Sequence, residues 1–207
     1  MAMTARFSED SILDAAASLV LINGVGHQPA MTEIARHLSA PSGSIYHRFR
    51  SHQELLTRLW LRSVRRFHRD YLAAGRADGN TCSDAETALL SMARSVVKHV
   101  RDQPANAASM TLFSQRRLLT LAPAFLVEEV SDVNTTVHAR LGALCEQRFG
   151  TTDDHHRHLV RVAAIALPYG LIRPHVGHHV PDELGQIVTA ASSAVLTLGD
   201  RPTSQTA

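Results

Sequence analysis

Apolar residues recur along most of this chain at the three- to four-residue spacing of α-helices, and no stretch alternates apolar with polar residues as a half-buried strand would. The first helix is predicted to begin after Ser8, whose hydroxyl can cap it and which is followed by two acidic residues, and to end near Asn23. Ser51 and Glu54 form the pattern of a capping box. They predict a long helix over residues 51–74.

Helical spacing continues beyond this segment. Residues 75–83 are rich in Gly and small polar residues, which predicts a linker. The tail at residues 201–207 is expected to be disordered. Five further helices are predicted, at residues 83–103, 105–119, 123–149, 153–172 and 181–198. The fold class is therefore predicted to be all-α.

Residues 31–49, MTEIARHLSAPSGSIYHRF, have the layout of a helix-turn-helix pair. One short amphipathic helix is followed by a tight break at residues 39–41 and then by a second short helix over residues 42–49. Pro41 suits the first turn of that helix, where its missing N–H would be unpaired in any case. The predicted inner faces carry Ile34, Ala35 and Leu38 on the first helix and Ala40, Ile45 and Phe49 on the second.

The outer face of the second helix carries short hydrogen-bonding groups, one aromatic ring and one imidazole, at Ser42, Gly43, Ser44, Tyr46 and His47. A helix that enters the major groove of DNA, about 12 Å wide, needs such a tip, because small residues let the backbone approach and hydroxyls can bond to phosphates or base edges. A helical hairpin packed in an ordinary core has the same spacing. Spacing alone leaves both interpretations open.

Residues 11–56 contain several spaced elements in one order: I-L-x-A-A in the opening helix, a Gly, an I-A helix, G-x-I-Y-x-x-F and S-x-x-E-L-L. In these elements the chain resembles the N-terminal domain of the tetracycline-repressor (TetR) family. The resemblance implies a helix-turn-helix DNA-binding domain over residues 1–50 and a helical ligand-binding and dimerisation domain over residues 51–200. It also implies a homodimeric repressor of a palindromic, double-stranded DNA operator, released by a small-molecule inducer.

Three positions depart from the family's pattern. Pro29 and Ala30 stand where a Thr usually precedes the second helix, so a hydroxyl cap and its phosphate contact are missing. The common Gly-Val-Ser of the turn is replaced by S-A-P at residues 39–41. The Lys that usually follows the Ser at the start of the fourth helix is His52, which replaces a permanent cation by a titratable group. Phosphate affinity at this point is therefore expected to be weaker or pH-dependent.

The formal charge of +2 is unevenly spread along the chain. Residues 1–75 hold nine arginines and six acidic residues, whereas residues 76–207 hold twelve basic and thirteen acidic ones. Arg48 and Arg50 could lie against the sugar-phosphate backbone. The later arginines are expected to be solvated or to pair with Asp70 and neighbouring acids. The predicted DNA contacts are Thr32, Ser42, Gly43, Ser44, Tyr46, His47, Arg48, Arg50, Ser51 and His52.

The last two predicted helices mix small and branched apolar residues, which let helices approach closely. Two such hairpins from two chains would form a four-helix bundle, and the family resemblance implies the same arrangement. Alternatively, both apolar faces are buried inside one chain. The predicted pairing residues are Val160, Ala163, Ala164, Leu167, Ile187, Val188, Ala191 and Val195.

The resemblance also implies a small-molecule pocket among the helices between the linker and the pairing surface. Such a pocket is mostly apolar, with a few polar groups that orient the ligand. An apolar stripe at helical spacing is equally what a plain core helix shows, so each candidate has that alternative. The candidate lining residues are Met92, Val96, Met110, Phe113, Phe125, Val133, Val137, His138 and Tyr169.

Composition narrows the class of protein. A chain of 207 residues, 44% of them hydrophobic, can bury a core, and it has no long apolar run and no basic-then-apolar N-terminus, so a cytoplasmic protein without a membrane span is expected. Cys82 and Cys145 fit neither a metal-binding pair nor a disulfide framework. Since no nucleophile elbow, phosphate-binding loop or triad spacing appears, the sequence predicts neither enzymatic activity nor a cofactor.

Thirteen histidines include two clusters, His155, His156 and His158, and then His175, His178 and His179. His155 and His158 could share a helix face and chelate a transition metal, or the clusters could sense protons. No nearby Cys completes a metal site, so solvated histidines are favoured. Two non-enzymatic classes remain: a ligand-responsive repressor, which is the prediction, and a helical interaction or scaffold protein without sequence-specific DNA binding.

Overall fold

A computed structural model describes residues 7–76 and 81–200. Within these residues every regular element is helical, which confirms the predicted all-α fold. Part of the predicted linker and the predicted tail lie outside the described residues. The α-helices are α1 (Glu9–Asn23), α2 (Met31–His37), α3 (Ser42–Tyr46), α4 (His52–Ala74), α5 (Cys82–Asp102), α6 (Pro104–Met110), α7 (Gln115–Leu121), α8 (Val127–Asp132), α9 (Thr135–Phe149), α10 (Asp154–Arg161), α11 (Leu167–Ile172) and α12 (Leu184–Leu196).

The chain divides into two compact units. The first is formed by Met1–Arg66 and Gln103–Val133, and the second by Phe67–Asp102 and Asn134–Ala207. Helix α4 therefore contributes its first part to one unit and its last part to the other. The predicted boundary at residue 50, between a DNA-binding and a ligand-binding domain, refers to function and not to these packing units. It stays a prediction.

In the first unit, α1 packs against α2 and α6. Its apolar face is fully buried at Ile12, Ala16 and Val20. The Oγ atom of Ser8 accepts a hydrogen bond from the Ser11 amide at 3.1 Å, which confirms the predicted cap. Helix α1 is thus fixed at its start and along its length, and it supports the helices that follow.

The helix predicted over residues 105–119 is interrupted between α6 and α7. Helix α7 begins after Ser114, whose Oγ accepts a backbone amide at 3.3 Å. The buried Trp60 indole Nε1 donates to the carbonyl oxygens of Met110 and Phe113 at 3.1 and 3.0 Å. Because one side chain supplies the donor that these two carbonyls lack, the break is stable although the apolar spacing runs across it.

The helix predicted over residues 123–149 is also interrupted, at residues 133–134, between α8 and α9. The Gln115 Nε2 atom donates to the carbonyl oxygens of Val130 and Ser131 at 2.8 and 3.0 Å. A side chain from α7 therefore satisfies the carbonyls that the end of α8 leaves without helical partners. The single long helix was a wrong prediction because its apolar stripe continues through the break.

In the second unit, α5 packs against α9, α11 and α12. Its apolar face is fully buried at Leu89, Met92 and Ala93. The helix predicted over residues 153–172 is present without a gap, but its middle widens into a π-helical turn, Val162–Ala166, between α10 and α11. It lies against α5 and α12 and forms part of the same core.

Pro168, in the first turn of α11, explains the π-helical turn. Proline has no N–H to give to a carbonyl one turn earlier. Two buried hydroxyls bond to the carbonyls that lie about one turn before Pro168. Tyr71 donates to the oxygen of Ala164 at 2.7 Å, and Ser192 donates to the oxygen of Ala163 at 2.7 Å. Burial raises the pKa of Tyr71, so its hydroxyl keeps the proton that it donates.

Replacing Tyr71 by Phe removes this donor and leaves a buried carbonyl without it. We expect the free energy of unfolding, measured by urea titration, to fall by about 1–3 kcal/mol. Tyr169→Phe is the matched control, because the Tyr169 side chain is half exposed and a surface substitution is expected to change stability by less than about 0.5 kcal/mol. Equal losses in the two variants would contradict this account of the π-helical turn.

Candidate nucleic-acid interface

Helices α2 and α3 are joined by the tight break predicted at residues 39–41. The amide of Ser39 donates to the Arg36 carbonyl at 3.1 Å, and the amide of Ala40 donates to the Ala35 carbonyl at 2.9 Å. This is the Schellman pattern of a helix C-terminus, in which the first residue after the cap is usually Gly. Ser39 adopts φ 52°, in the left-handed region, so this serine holds a strained backbone.

Helix α3 covers Ser42–Tyr46, so the reading helix predicted over residues 42–49 is shorter than expected. Pro41 immediately precedes it, and the chain leaves it through a turn in which the amides of Arg48 and Phe49 both bond to the Ile45 carbonyl at 3.0 Å. The α-helix ends where the Arg48 amide bonds three residues back, to Ile45, rather than four. The turn still brings Phe49 back to the inner face.

The two faces of this segment are sharply divided. Ile45 and Phe49 are 0% exposed, whereas Tyr46 is 56% exposed. Ser42 and Gly43 are exposed as well, and a Cβ added at Gly43 would meet nothing within 4 Å. The other predicted DNA contacts are exposed at Thr32, His47, Arg48, Arg50 and Ser51 and half-buried at Ser44 and His52. The surface that α3 offers is therefore small, polar and open.

Side-chain bonds fix the start of α4. Ser51 Oγ accepts from the Glu54 amide at 3.0 Å, and the buried Glu54 carboxylate accepts from the Arg50 amide at 2.9 Å, close to the predicted capping box. His52 Nε2 donates to the carbonyl of Pro29 at 3.0 Å. The imidazole that replaces the family's Lys thus ties α4 to the segment before α2. Its predicted contact with phosphate stays a prediction.

All five arginines of α4 are paired with acidic residues, and only Arg69 uses Asp70, so the prediction that these side chains are mainly solvated was wrong. Within the first unit, three of them form ion pairs with the first turns of α1. These pairs are Arg58–Glu9 (3.4 Å), Arg62–Asp10 (3.3 Å), Arg62–Asp14 (2.8 Å) and Arg66–Asp14 (3.4 Å). Arg65 pairs with Glu129 at 2.7 Å in the same unit. These guanidinium groups therefore already form ion pairs within the chain.

Three arginines near α3 have no carboxylate partner in the part of the chain that the structure describes. Arg36 and Arg48 are exposed, and their guanidinium groups make no hydrogen bond there either. Arg50 lies with its guanidinium carbon 5.9 Å from the centre of the Phe125 ring. Sequence reasoning missed Arg36. Its position on α2 outside the inner face, beside Ile34 and Ala35, was the available signal.

The predicted pairing residues divide by exposure. Val160, Ala163, Ala164 and Val188 are buried within their own chain, so these four side chains give no surface to a second copy. Ile187 is 47% exposed, and Leu167, Ala191 and Val195 are partly exposed. Helix α12 and the turn after it leave a stripe of accessible apolar residues at Ile187, Ala190, Ala191, Ala194 and Leu198. Pairing itself stays a prediction.

The predicted ligand-lining residues are spread over both units. In the first unit, Phe113 is buried, Met110 and Val133 are partly exposed, and Phe125 is exposed. In the second unit, Met92, Val96 and Val137 are buried, and His138 and Tyr169 are exposed. The Met92 thioether packs so closely on Gly75 that a Cβ at that position would clash with its sulfur. Several of these residues therefore fill the core.

Hydrogen bonds within the chain engage two of the clustered histidines. His156 Nδ1 lies 2.8 Å from a carboxylate oxygen of Asp153, and its Nε2 lies 3.2 Å from the Gly199 carbonyl. His175 Nδ1 lies 3.0 Å from the carbonyl of His179. Over residues 7–76 and 81–200, no group of three His, Cys, Asp or Glu side chains is arranged to hold a metal ion.

Comparison with solved structures identifies the fold. A tetR-family bacterial regulatory protein from Rhodococcus RHA1 superimposes with a TM-score of 0.70 and 16% identity, covering 92% of this chain and 95% of that chain. The TetR family transcriptional regulator PfmR from Thermus thermophilus superimposes with a TM-score of 0.68 and 15% identity, covering 90% of this chain and 97% of that chain. The ketosteroid transcriptional regulator KstR2 of Mycobacterium tuberculosis superimposes with a TM-score of 0.67 and 16% identity, covering 91% of this chain and 93% of that chain.

The chain therefore has the fold of TetR-family transcriptional regulators, with an N-terminal helix-turn-helix and a helical C-terminal part, as its resemblance predicted. No sequence profile of a protein family matches the chain, and no curated protein matches it by sequence. None of the helices described in the structure is long and apolar enough to cross a membrane.

Replacing Ser39 by Gly is expected to stabilise the protein, because Gly adopts positive φ without a Cβ clash. We expect the free energy of unfolding to rise by about 0.5–1 kcal/mol, measured by chemical denaturation. Ser44→Gly, inside α3, is expected to lower it by a similar amount, because Gly is unfavourable in a helix. A loss of stability in Ser39→Gly would show that the serine side chain matters more than its strained backbone.

Proposed function

We propose that the protein is a transcriptional regulator of the TetR type that acts in the cytoplasm as a homodimeric repressor and responds to a small molecule. One observation carries this proposal: α3 presents Ser42, Gly43 and Tyr46 to solvent while Ile45 and Phe49 anchor the same segment completely. Small and hydroxyl-bearing residues on a firmly held helix suit insertion into the major groove. The shared fold supports the same role.

Electrostatics supports the placement of DNA at α3. The arginines along α4 are paired with acids, whereas Arg36 and Arg48, next to α3, have no partner among the described residues. Arg36 and Arg48 are therefore expected to bind phosphate more strongly than the paired arginines of α4. Each phosphate that such a cation neutralises releases counterions and makes binding dependent on salt.

A short reading helix contacts few base pairs, so two copies are needed to distinguish an operator from other DNA. The exposed apolar stripe on α12 offers a surface for pairing, and Tyr169 on α11 is a further exposed apolar residue of the same unit. In the proposed dimer two α3 helices read the two halves of a palindromic site. Occupied operator DNA would then be closed to transcription.

The proposed response to a small molecule rests on α4, which belongs to both units. A ligand that prefers a state in which α4 is tilted disfavours the arrangement of reading helices that fits the operator. Such coupling between two sites typically amounts to about 1–3 kcal/mol. Binding of inducer would therefore weaken DNA affinity without any contact between inducer and DNA.

The DNA-binding role is tested by footprinting on the DNA that flanks the protein's own gene, followed by titration of the protected site. Tyr46→Ala is expected to weaken binding by roughly 5- to 100-fold, since good base contacts contribute about 1–3 kcal/mol. Thermal unfolding should be unchanged, because Tyr46 is exposed. If the chain binds no duplex even at low salt, the scaffold alternative is favoured.

Salt dependence tests the role of the unpaired cations. In a mobility shift on random duplex DNA, Arg48→Ala is expected to lower the slope of log affinity against log salt by about 0.9. Arg69→Ala is the matched control, because Arg69 is already close to Asp70, at 3.6 Å, in the second unit. Equal slopes for the wild type and Arg48→Ala would remove Arg48 from the interface.

Pairing through α12 is tested by Ile187→Glu, which places a charge on the exposed stripe. Since an unpaired charge in a buried interface is costly, sedimentation is expected to show monomers where the wild type gives dimers. Ile22→Glu, at a 68% exposed position on α1, is the control and should keep the dimer. Dimers that persist in Ile187→Glu at micromolar concentration would exclude this surface.

A further inference from the structure

A groove in the second unit runs between α9 and α10 and is separate from the exposed stripe on α12. Its volume is about 390 Å³, within the range of about 300–1,000 Å³ that is usual for small-molecule sites. Leu141, Cys145 and Val160 are buried and form its floor. Burial raises the pKa of the Cys145 thiol, so the floor carries no charge near neutral pH.

The rim of the groove is basic. Arg157 and Arg161 lie one helical turn apart on α10, are exposed, and line the groove, with His138 opposite them on α9. Neither guanidinium forms an ion pair or a hydrogen bond in the part of the chain that the structure describes. Like charges at this spacing repel each other, so the pair has an electrostatic cost that no partner in the described chain offsets.

We propose that this groove binds an organic anion with an apolar body, of the kind represented by a medium-chain carboxylate. Guanidinium groups bind carboxylates through paired, charge-assisted hydrogen bonds, and Arg157 and Arg161 place two of them on one edge. The apolar floor at Leu141 and Val160 accommodates the rest of such a molecule. The site involves only the second unit, so it does not depend on the DNA-binding role.

Gly142 offers a way to close the groove without altering its charges. It lines the groove from α9, and a Cβ added there would meet nothing within 4 Å. A Leu at this position therefore places its side chain in free space rather than against the backbone. Gly142→Leu fills the groove, and Arg157→Gln with Arg161→Gln removes the charges while keeping the shape.

The test is calorimetric titration of the full chain with octanoate and, as its neutral counterpart, octanamide. We expect octanoate to saturate one site per chain and octanamide to bind at least about tenfold more weakly, because a hydrogen bond from a guanidinium to a carboxylate is stronger than one to a neutral amide. The double variant Arg157→Gln/Arg161→Gln should lose at least the same factor. No saturable binding of octanoate, or equal binding of the two probes, overturns the proposal.

Two further variants separate the groove from general charge. Arg116→Gln/Arg117→Gln removes two exposed arginines of α7, in the first unit, and should leave octanoate affinity unchanged. Gly142→Leu should abolish binding while both rim arginines remain. Loss in the α7 variant, or full affinity in a folded Gly142→Leu variant, contradicts the assignment. If Gly142→Leu does not fold, as judged by circular dichroism, the two arginine variants decide the outcome.

Discussion

The proposed DNA-reading face depends on how a helix too short to be stable alone is held in place. Isolated helices of fewer than about 12–15 residues are marginal in water, and α3 has five residues. Its order comes from Ile45 and Phe49, both fully buried, each of which stabilises by roughly 1.5–3 kcal/mol. Once these two side chains point inward, helical geometry forces Tyr46 outward. The anchoring of α3 and the exposure of its polar face are thus the same constraint.

A second constraint, the ion pairing of α4 with α1, determines where positive charge is left on the surface. Ion pairs such as Arg62–Asp14 contribute little stability where solvent screens them. Their larger effect is on the field that a nucleic acid would meet, because they cancel charges that a count along the sequence assigns to DNA binding. Within residues 7–76 and 81–200, what remains near α3 is a small number of cations without a carboxylate partner, with Arg36 and Arg48 among them. The positive charge on this surface is therefore smaller, and confined to a smaller area, than the composition of residues 1–75 implies.

The sequence predicted those features that depend on local spacing. The all-α class, the cap at Ser8 and the division of faces in the helix-turn-helix pair all follow from contacts within a few residues. Features that depend on distant partners were missed: the breaks that Trp60 and Gln115 stabilise, and the bond from His52 to Pro29, which joins positions 23 apart. Pro168 could have signalled the π-helical turn, but its hydroxyl partners could not be placed without the fold.

The candidate ligand residues show why an apolar stripe is a poor guide to a binding site. Met92 and Val96 have the same helical spacing whether they pack against neighbours or line a cavity, and in the structure they pack. A site is better revealed by polar groups that the chain itself leaves without partners. Among the described residues, Arg157 and Arg161 meet that criterion beside an apolar floor, although nothing in their spacing on α10 distinguishes them from an ordinary solvated face. The information lies in the lack of an ion pair for either guanidinium among the described residues, which is a property of the folded chain.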